Sequence, residues 1–323
     1  MTEMSVDLAP VRAGGLVVAH PILVAAGGAG YGLELLESVD GGLPAAIVTR
    51  GTTMAARPGA PGPRMAPLDD GLLHAIGRPN AGVERVLDRF GGRWAAADIP
   101  FILSVCASTA EGFGEMARAV DGQAGVAAIE LDLSCADQAH AGRPFGLATG
   151  PAESATVAAR AATDLPVVAK LTPTAPDVRE VARAVVAAGA DAISAISSPS
   201  GVAIERSGAR PRLGAGYGSL SGPVVRSIGL RVVFEVAQVV KVPVVGVGGI
   251  ATLDDVLDYL MAGASAVALA TAALADPALP GRLATELEAW CTTERLASVT
   301  EVVGRALPQR RDRGSLRSAP NRI

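Results

Sequence analysis

Val242-Pro243-Val244-Val245-Gly246-Val247-Gly248-Gly249-Ile250 and Ala266-Val267-Ala268-Leu269-Ala270-Thr271 are two short apolar runs, the first rich in β-branched residues, that each stop on a turn of small residues. Between them Leu253–Met261 reads as an amphipathic helix. Strand, helix, strand is the unit of a parallel sheet, because parallel neighbours need a crossover. The same unit recurs along the chain. Pro21–Ala25, Ala45–Thr49, Pro100–Val105, Ala127–Leu133, Pro166–Leu171 and Ala192–Ile196 bring the runs to eight, the number that closes a barrel. Thr109–Val120, Glu153–Ala162, Val178–Ala188 and Arg226–Val240 supply an outer ring of helices. A doubly wound open sheet uses the same alternation, but its Gly-x-Gly-x-x-Gly opening is absent after the first run, where Ala26-Gly27-Gly28-Ala29-Gly30 stands. The expected fold is therefore α/β, a (β/α)8 TIM barrel formed as a single domain by residues 1–307.

Two segments depart from this rhythm. Gly51–Asn80 is rich in Pro and Gly and too long for an ordinary βα connection, so it is expected to be a structured insertion over the C-terminal face of the barrel, as a wall or lid. Residues 308–323 carry Arg310, Arg311, Arg313, Arg317 and Arg322 among few apolar residues, the composition of a solvated, disordered tail.

A net charge of -4 without a long basic stripe argues against nucleic acid or an anionic membrane as partner, and points to a small molecule. Cys106, Cys135 and Cys291 form an odd set without Cys-x-x-Cys spacing, so neither a disulfide framework nor a structural metal site is indicated. Without a basic leader or a membrane-length apolar run, the chain reads as cytoplasmic.

The chemistry lies where the runs end. Gly248-Gly249 and Ala270-Thr271 close the seventh and eighth runs, where barrels commonly bind phosphate through backbone N–H groups; the plainer alternative is glycine serving tight turns. Lys170 closes an otherwise apolar run and would point into the barrel mouth, to stabilise negative charge there or to escape to solvent. Cys135, just beyond Leu133, is placed either for proton transfer or as a small buried hydrophobe, the reading given to Cys106 and Cys291.

These residues also carry a family resemblance. Pro21–Gly27, Ile47–Thr53 with Arg57, Gly59, Pro63 and Arg64, Leu131–Cys135, Ala169–Pro173 and Ser219–Pro223 resemble, across nearly the whole barrel, the motifs of dihydroorotate dehydrogenases. The Leu-Ser-Gly-Pro segment and the cysteine are most similar to the soluble class, in the branch paired with an FAD/iron–sulphur subunit. The resemblance implies FMN across the mouth, with its phosphate on Gly248, Gly249, Ala270 and Thr271 and its ring near Ala25, Gly27, Thr49, Arg50, Ser104, Lys170, Ser221 and Gly222. It further implies Cys135 as catalytic base, Lys170 beside the flavin, and a homodimer.

Where the family carries substrate-binding asparagines this chain has His74, Asp132, Asp137 and Ser197, with Ser198 alongside, while Arg50 and Ser104 replace a family lysine and asparagine. An ionised Asp only accepts hydrogen bonds, and at about 4 Å it opposes another carboxylate by about 4 kcal/mol at an effective dielectric near 20. The charge pattern thus leads to the expectation of an FMN oxidoreductase whose substrate is a neutral or cationic metabolite, not dihydroorotate. His74 is read either as a substrate or proton-transfer residue or as a structural one. Authentic dihydroorotate dehydrogenase is the alternative, and a flavin-binding subunit without turnover a second.

Overall fold

The computed structural model describes residues 2–39 and 42–308. Eight parallel strands, β1 (Ile22–Val24), β2 (Ile47–Val48), β3 (Phe101–Val105), β4 (Val126–Asp132), β5 (Val167–Leu171), β6 (Ala192–Ala195), β7 (Val244–Val247) and β8 (Ala266–Leu269), close into a barrel in sequential order. Leu269 of β8 pairs with Val24 of β1 to complete the ring. Helices cover the outside and side chains fill the inside, so strand residues are buried on both faces, which is why these segments read as continuous apolar runs and not as alternating ones.

The helices are α1 (Leu33–Ser38), α2 (Val83–Ala95), α3 (Ala110–Val120), α4 (Thr149–Arg160), α5 (Val178–Ala187), α6 (Arg226–Ala237), α7 (Leu253–Met261), α8 (Thr271–Ala275) and α9 (Leu279–Thr293). Local capping sets several starts. The Thr109 hydroxyl accepts from Gly112 N at 3.0 Å, and Thr252 and Asp255 form a reciprocal capping box ahead of α7. α2 is held by an aromatic stack, with Tyr31 on Phe90 at 4.6 Å and Trp94 on Phe101 at 5.4 Å between ring centroids.

Both ends of the barrel are covered. At the N-terminal end a hairpin, Val6–Asp7 against Val17–Val18, carries Arg12 onto Asp191 at the start of β6. At the C-terminal end the 51–80 insertion supplies the hairpin Met65–Leu68 and Gly71–His74. That hairpin joins Gly218–Ser221 and Ser200–Gly201 in a four-stranded antiparallel sheet over the mouth. The lid expected from residues 51–80 is thus only half of the cover, because residues 200–221 build the rest. Of the basic tail, all but Pro308 lies outside the described residues.

Candidate active site

A cavity of about 270 Å³ opens at the ends of β6, β7 and β8. It is lined by Ser197, Ser198, Ser221, Gly222, Gly248, Gly249, Ala270 and Thr271, so residues far apart in sequence meet in one place. Among the described residues the N–H groups of Gly248, Gly249 and Ala270 donate to no acceptor, and the buried Ser197 hydroxyl has no partner. Unspent donors around a cavity suit an oxyanion. Gly248 and Gly249 have φ of 130° and 73°, and a Cβ on Gly249 would stand 2.8 Å from Arg226 N, so the turn demands glycine twice over. Tyr259, fully buried, braces it from behind by donating to Gly248 O at 2.7 Å. These features fit the phosphate-bearing end of FMN, which Gly248, Gly249, Ala270 and Thr271 would hold.

Below the mouth runs a buried polar layer. Ser104 on β3 is in register with Glu130 on β4, and Lys170 on β5 with Ser194 on β6. Lys170 Nζ lies 3.4 Å from both Glu130 Oε2 and Ser194 Oγ, and Glu130 Oε1 is buried without a partner. Lys170 therefore stays inside, its charge offset by a carboxylate that the sequence reading did not single out. Thr49, at the end of β2, accepts from Ser104 N at 3.2 Å, which ties the two strand ends together. Ala25 receives the end of β8 through its N–H to Leu269 O at 2.8 Å, and Gly27 (φ 95°) begins a turn whose Gly30 carbonyl accepts from Arg50 N at 2.7 Å. Arg50 makes no ion pair among the described residues; its Nη1 reaches Pro79 O at 3.5 Å.

The third cluster surrounds Cys135, whose thiol is buried just past β4. One polar atom each of Cys106, Asp132 and Cys135 lie within 4.8 Å of one another. Cys106 is buried, as expected, but at the site and not merely as core filler: contact with Cys135, added to burial, pushes its thiol pKa well up. Cys291 is an ordinary core residue of α9. Asp132 receives Arg78 Nε at 2.9 Å and Nη2 at 2.7 Å on Oδ2, and Ser134 N at 3.1 Å on Oδ1. Burial raises the Asp132 pKa, but the Arg78 charge and the Ser134 hydroxyl outweigh it and bring it to about 2. Asp137 is spent inside its own loop: it accepts from Ala139 N at 2.9 Å and bonds His140 Nδ1. His74 sits in the lid sheet opposite Ser219, and burial lowers its pKa, which leaves a neutral ring with one donor and one acceptor.

The fold and these clusters define a (β/α)8 barrel whose mouth holds an oxyanion cavity, a buried lysine and a buried thiol. The model of the family described as "Dihydroorotate dehydrogenase" matches residues 10–290. Relatives named "Dihydroorotate dehydrogenase B (NAD(+)), catalytic subunit" include one from Desulforudis audaxviator, 38% identical over 92% of this chain and 96% of its own length. Another, from Geobacter sulfurreducens, is 37% identical over 94% and 97%, and one from Trichlorobacter lovleyi is 36% identical over 91% and 97%. The chain belongs to the dihydroorotate dehydrogenase family, whose enzymes use FMN and act on a CH–CH group.

These relatives overturn the expectation of a substrate other than dihydroorotate. The physical reason is visible in the site. Asp132 and Asp137 are not free acceptors: Arg78 pairs with the first, and His140 and a backbone amide engage the second. Arg78 escaped the sequence reading because nothing in Gly77-Arg78-Pro79-Asn80 ties it to a residue 54 positions on.

Proposed function

We propose that this chain is the catalytic subunit of a dihydroorotate dehydrogenase that oxidises dihydroorotate to orotate. The observation that carries the reading is the convergence at one barrel mouth of the Cys135 thiol, the Lys170 ammonium and a cavity lined by free backbone donors, with both pocket aspartates already engaged. Bound FMN supplies the hydride acceptor. Cys135 is the base that removes a proton from the carbon next to the substrate carbonyl, and its backbone holds it there through Cys135 N to Asp132 O at 3.1 Å and Phe145 N to Cys135 O at 3.1 Å. Lys170 lends positive charge from within the barrel, and Glu130 fixes its position. Ala25, Gly27, Thr49, Arg50, Ser104, Ser221 and Gly222 border the flavin ring in this reading, with His74, Ser197 and Ser198 toward the substrate.

The relatives' name, a catalytic subunit using NAD(+), supports a second, electron-transferring subunit of the FAD/iron–sulphur type as partner. We place the complex in the cytoplasm, with this chain as a homodimer. No helix among the described residues is long and apolar enough to cross a membrane. The visible spectrum of the purified yellow protein, recorded before and after anaerobic dihydroorotate, tests the assignment. Prompt bleaching is the expected result, and a flavin spectrum that dihydroorotate leaves unchanged would overturn it.

A further inference from the structure

Arg78 stands in a turn built with care. Gly77 and Arg78 both have positive φ, 74° and 53°, a conformation that an arginine adopts only when its surroundings impose it. Asn80 imposes it. Its buried side chain donates to Arg78 O at 3.0 Å and Thr53 Oγ1 at 2.9 Å and accepts from Gly82 N at 2.9 Å, while its backbone pairs with Arg57 in both directions. The guanidinium is fixed as well. Nε and Nη2 are held by Asp132 Oδ2, and Nη2 reaches Ser134 Oγ at 2.9 Å. Because the guanidinium is a rigid planar fork, pinning that edge turns Nη1 away from Asp132, and Nη1 has no partner among the described residues. The side chain keeps a third of its surface exposed, within the cluster that holds Cys135.

We propose that Arg78 is the specificity-determining residue for the substrate's anionic group: it cancels the charge of Asp132 and offers Nη1 to the substrate carboxylate beside Cys135. The proposal rests on the reading above that the substrate is dihydroorotate, an anion. Charge accounting supports it. Lys170 is offset by Glu130 and Asp132 by Arg78, so removing Arg78 alone leaves an uncompensated carboxylate in the pocket. Removing both partners restores neutrality. That sign pattern separates an electrostatic role from a structural one.

The test compares the FMN holoenzymes of wild type, Arg78→Leu, Asp132→Asn and the double variant, reading the flavin spectral change on orotate binding and KM against kcat for dihydroorotate. Arg78→Leu is expected to weaken orotate binding and raise KM by roughly 30-fold or more, with a smaller change in kcat. Asp132→Asn is expected to bind orotate at least as tightly as wild type, and the double variant to recover to within about tenfold of it. Arg78→Lys, which keeps charge but loses the fork, is expected to fall between, and it carries the test with the double variant if Arg78→Leu fails to retain FMN. Unchanged orotate binding in Arg78→Leu, or a double variant no better than Arg78→Leu, overturns the proposal. Wild type that binds orotate but is not bleached by dihydroorotate overturns the function and leaves the anion site standing. Wild type that binds neither overturns both.

Discussion

Asp132 is pulled both ways, by burial toward the protonated form and by Arg78 and Ser134 toward the ionised one, and the second pull wins, at about 2. A carboxylate whose folded pKa lies below its unfolded value stabilises the fold above that unfolded value, near 3.8, and loses the contribution as pH falls through about 2. Asp132→Asn is therefore expected to be less stable than wild type at neutral pH by on the order of 2 kcal/mol. The gap should narrow between pH 4 and 2 in denaturant titrations, and a pH-independent gap would contradict the ion pair. His74 has the opposite charge type: burial keeps it neutral, so its contribution is full above about pH 6.5 and declines below. For Cys135 the expectation concerns turnover. Cys135→Ser should keep its yellow colour yet bleach with dihydroorotate at least 100-fold more slowly, as loss of a general base costs, in stopped-flow absorbance.

At the scale of elements, Tyr259 of α7 explains why Gly246 in β7 and Gly229 in α6 are glycines. A Cβ on Gly246 would meet the Tyr259 ring at 2.4 Å, and one on Gly229 would meet its hydroxyl at 2.2 Å. Gly246→Ala is expected to lose about 1–3 kcal/mol by overpacking, read as a lower midpoint in urea. Tyr259→Phe fits the same space but frees the Gly248 carbonyl, so weaker FMN retention is its expected result on dialysis. At the opposite end of the barrel Asp191 ties Arg12 at 2.6 Å and Arg160 at 3.1 Å and accepts from Val167 N at 2.9 Å. Asp191→Ala strands two partners and should cost about 3–5 kcal/mol in the same titration. Strands and most helices are legible in the sequence because their periods are local, and α7 spans the Leu253–Met261 that its pattern predicts. α6 ends at Ala237, short of the expected Val240, and α4 starts at Thr149, ahead of the expected Glu153, since amphipathic pattern marks a face more clearly than an end.

For the whole molecule, barrel closure does what no segment does alone. It brings β4 beside β5, so that Cys135 and Lys170 share a mouth, and β7 beside β8, so that two small-residue turns share one cavity. The lid sheet joins residues 65–74 to 200–221, and its position puts Arg78 within reach of Asp132. If the NAD(+) route needs a second subunit, the isolated chain is expected to take electrons from dihydroorotate but pass none to NAD(+), checked by following NADH absorbance with and without that subunit.

The sequence alone determined the barrel, because eight apolar runs separated by helical stretches admit few closures. It also determined the cofactor class, because strand-end glycines and the family motifs are local signals. What only tertiary structure decided was charge. Whether Asp132 repels an anion depends on Arg78, 54 residues earlier, and what the Asp137 carboxylate binds depends on the turn that folds His140 back onto it. Electrostatic energy depends on distance in space, which residue spacing along the chain does not report.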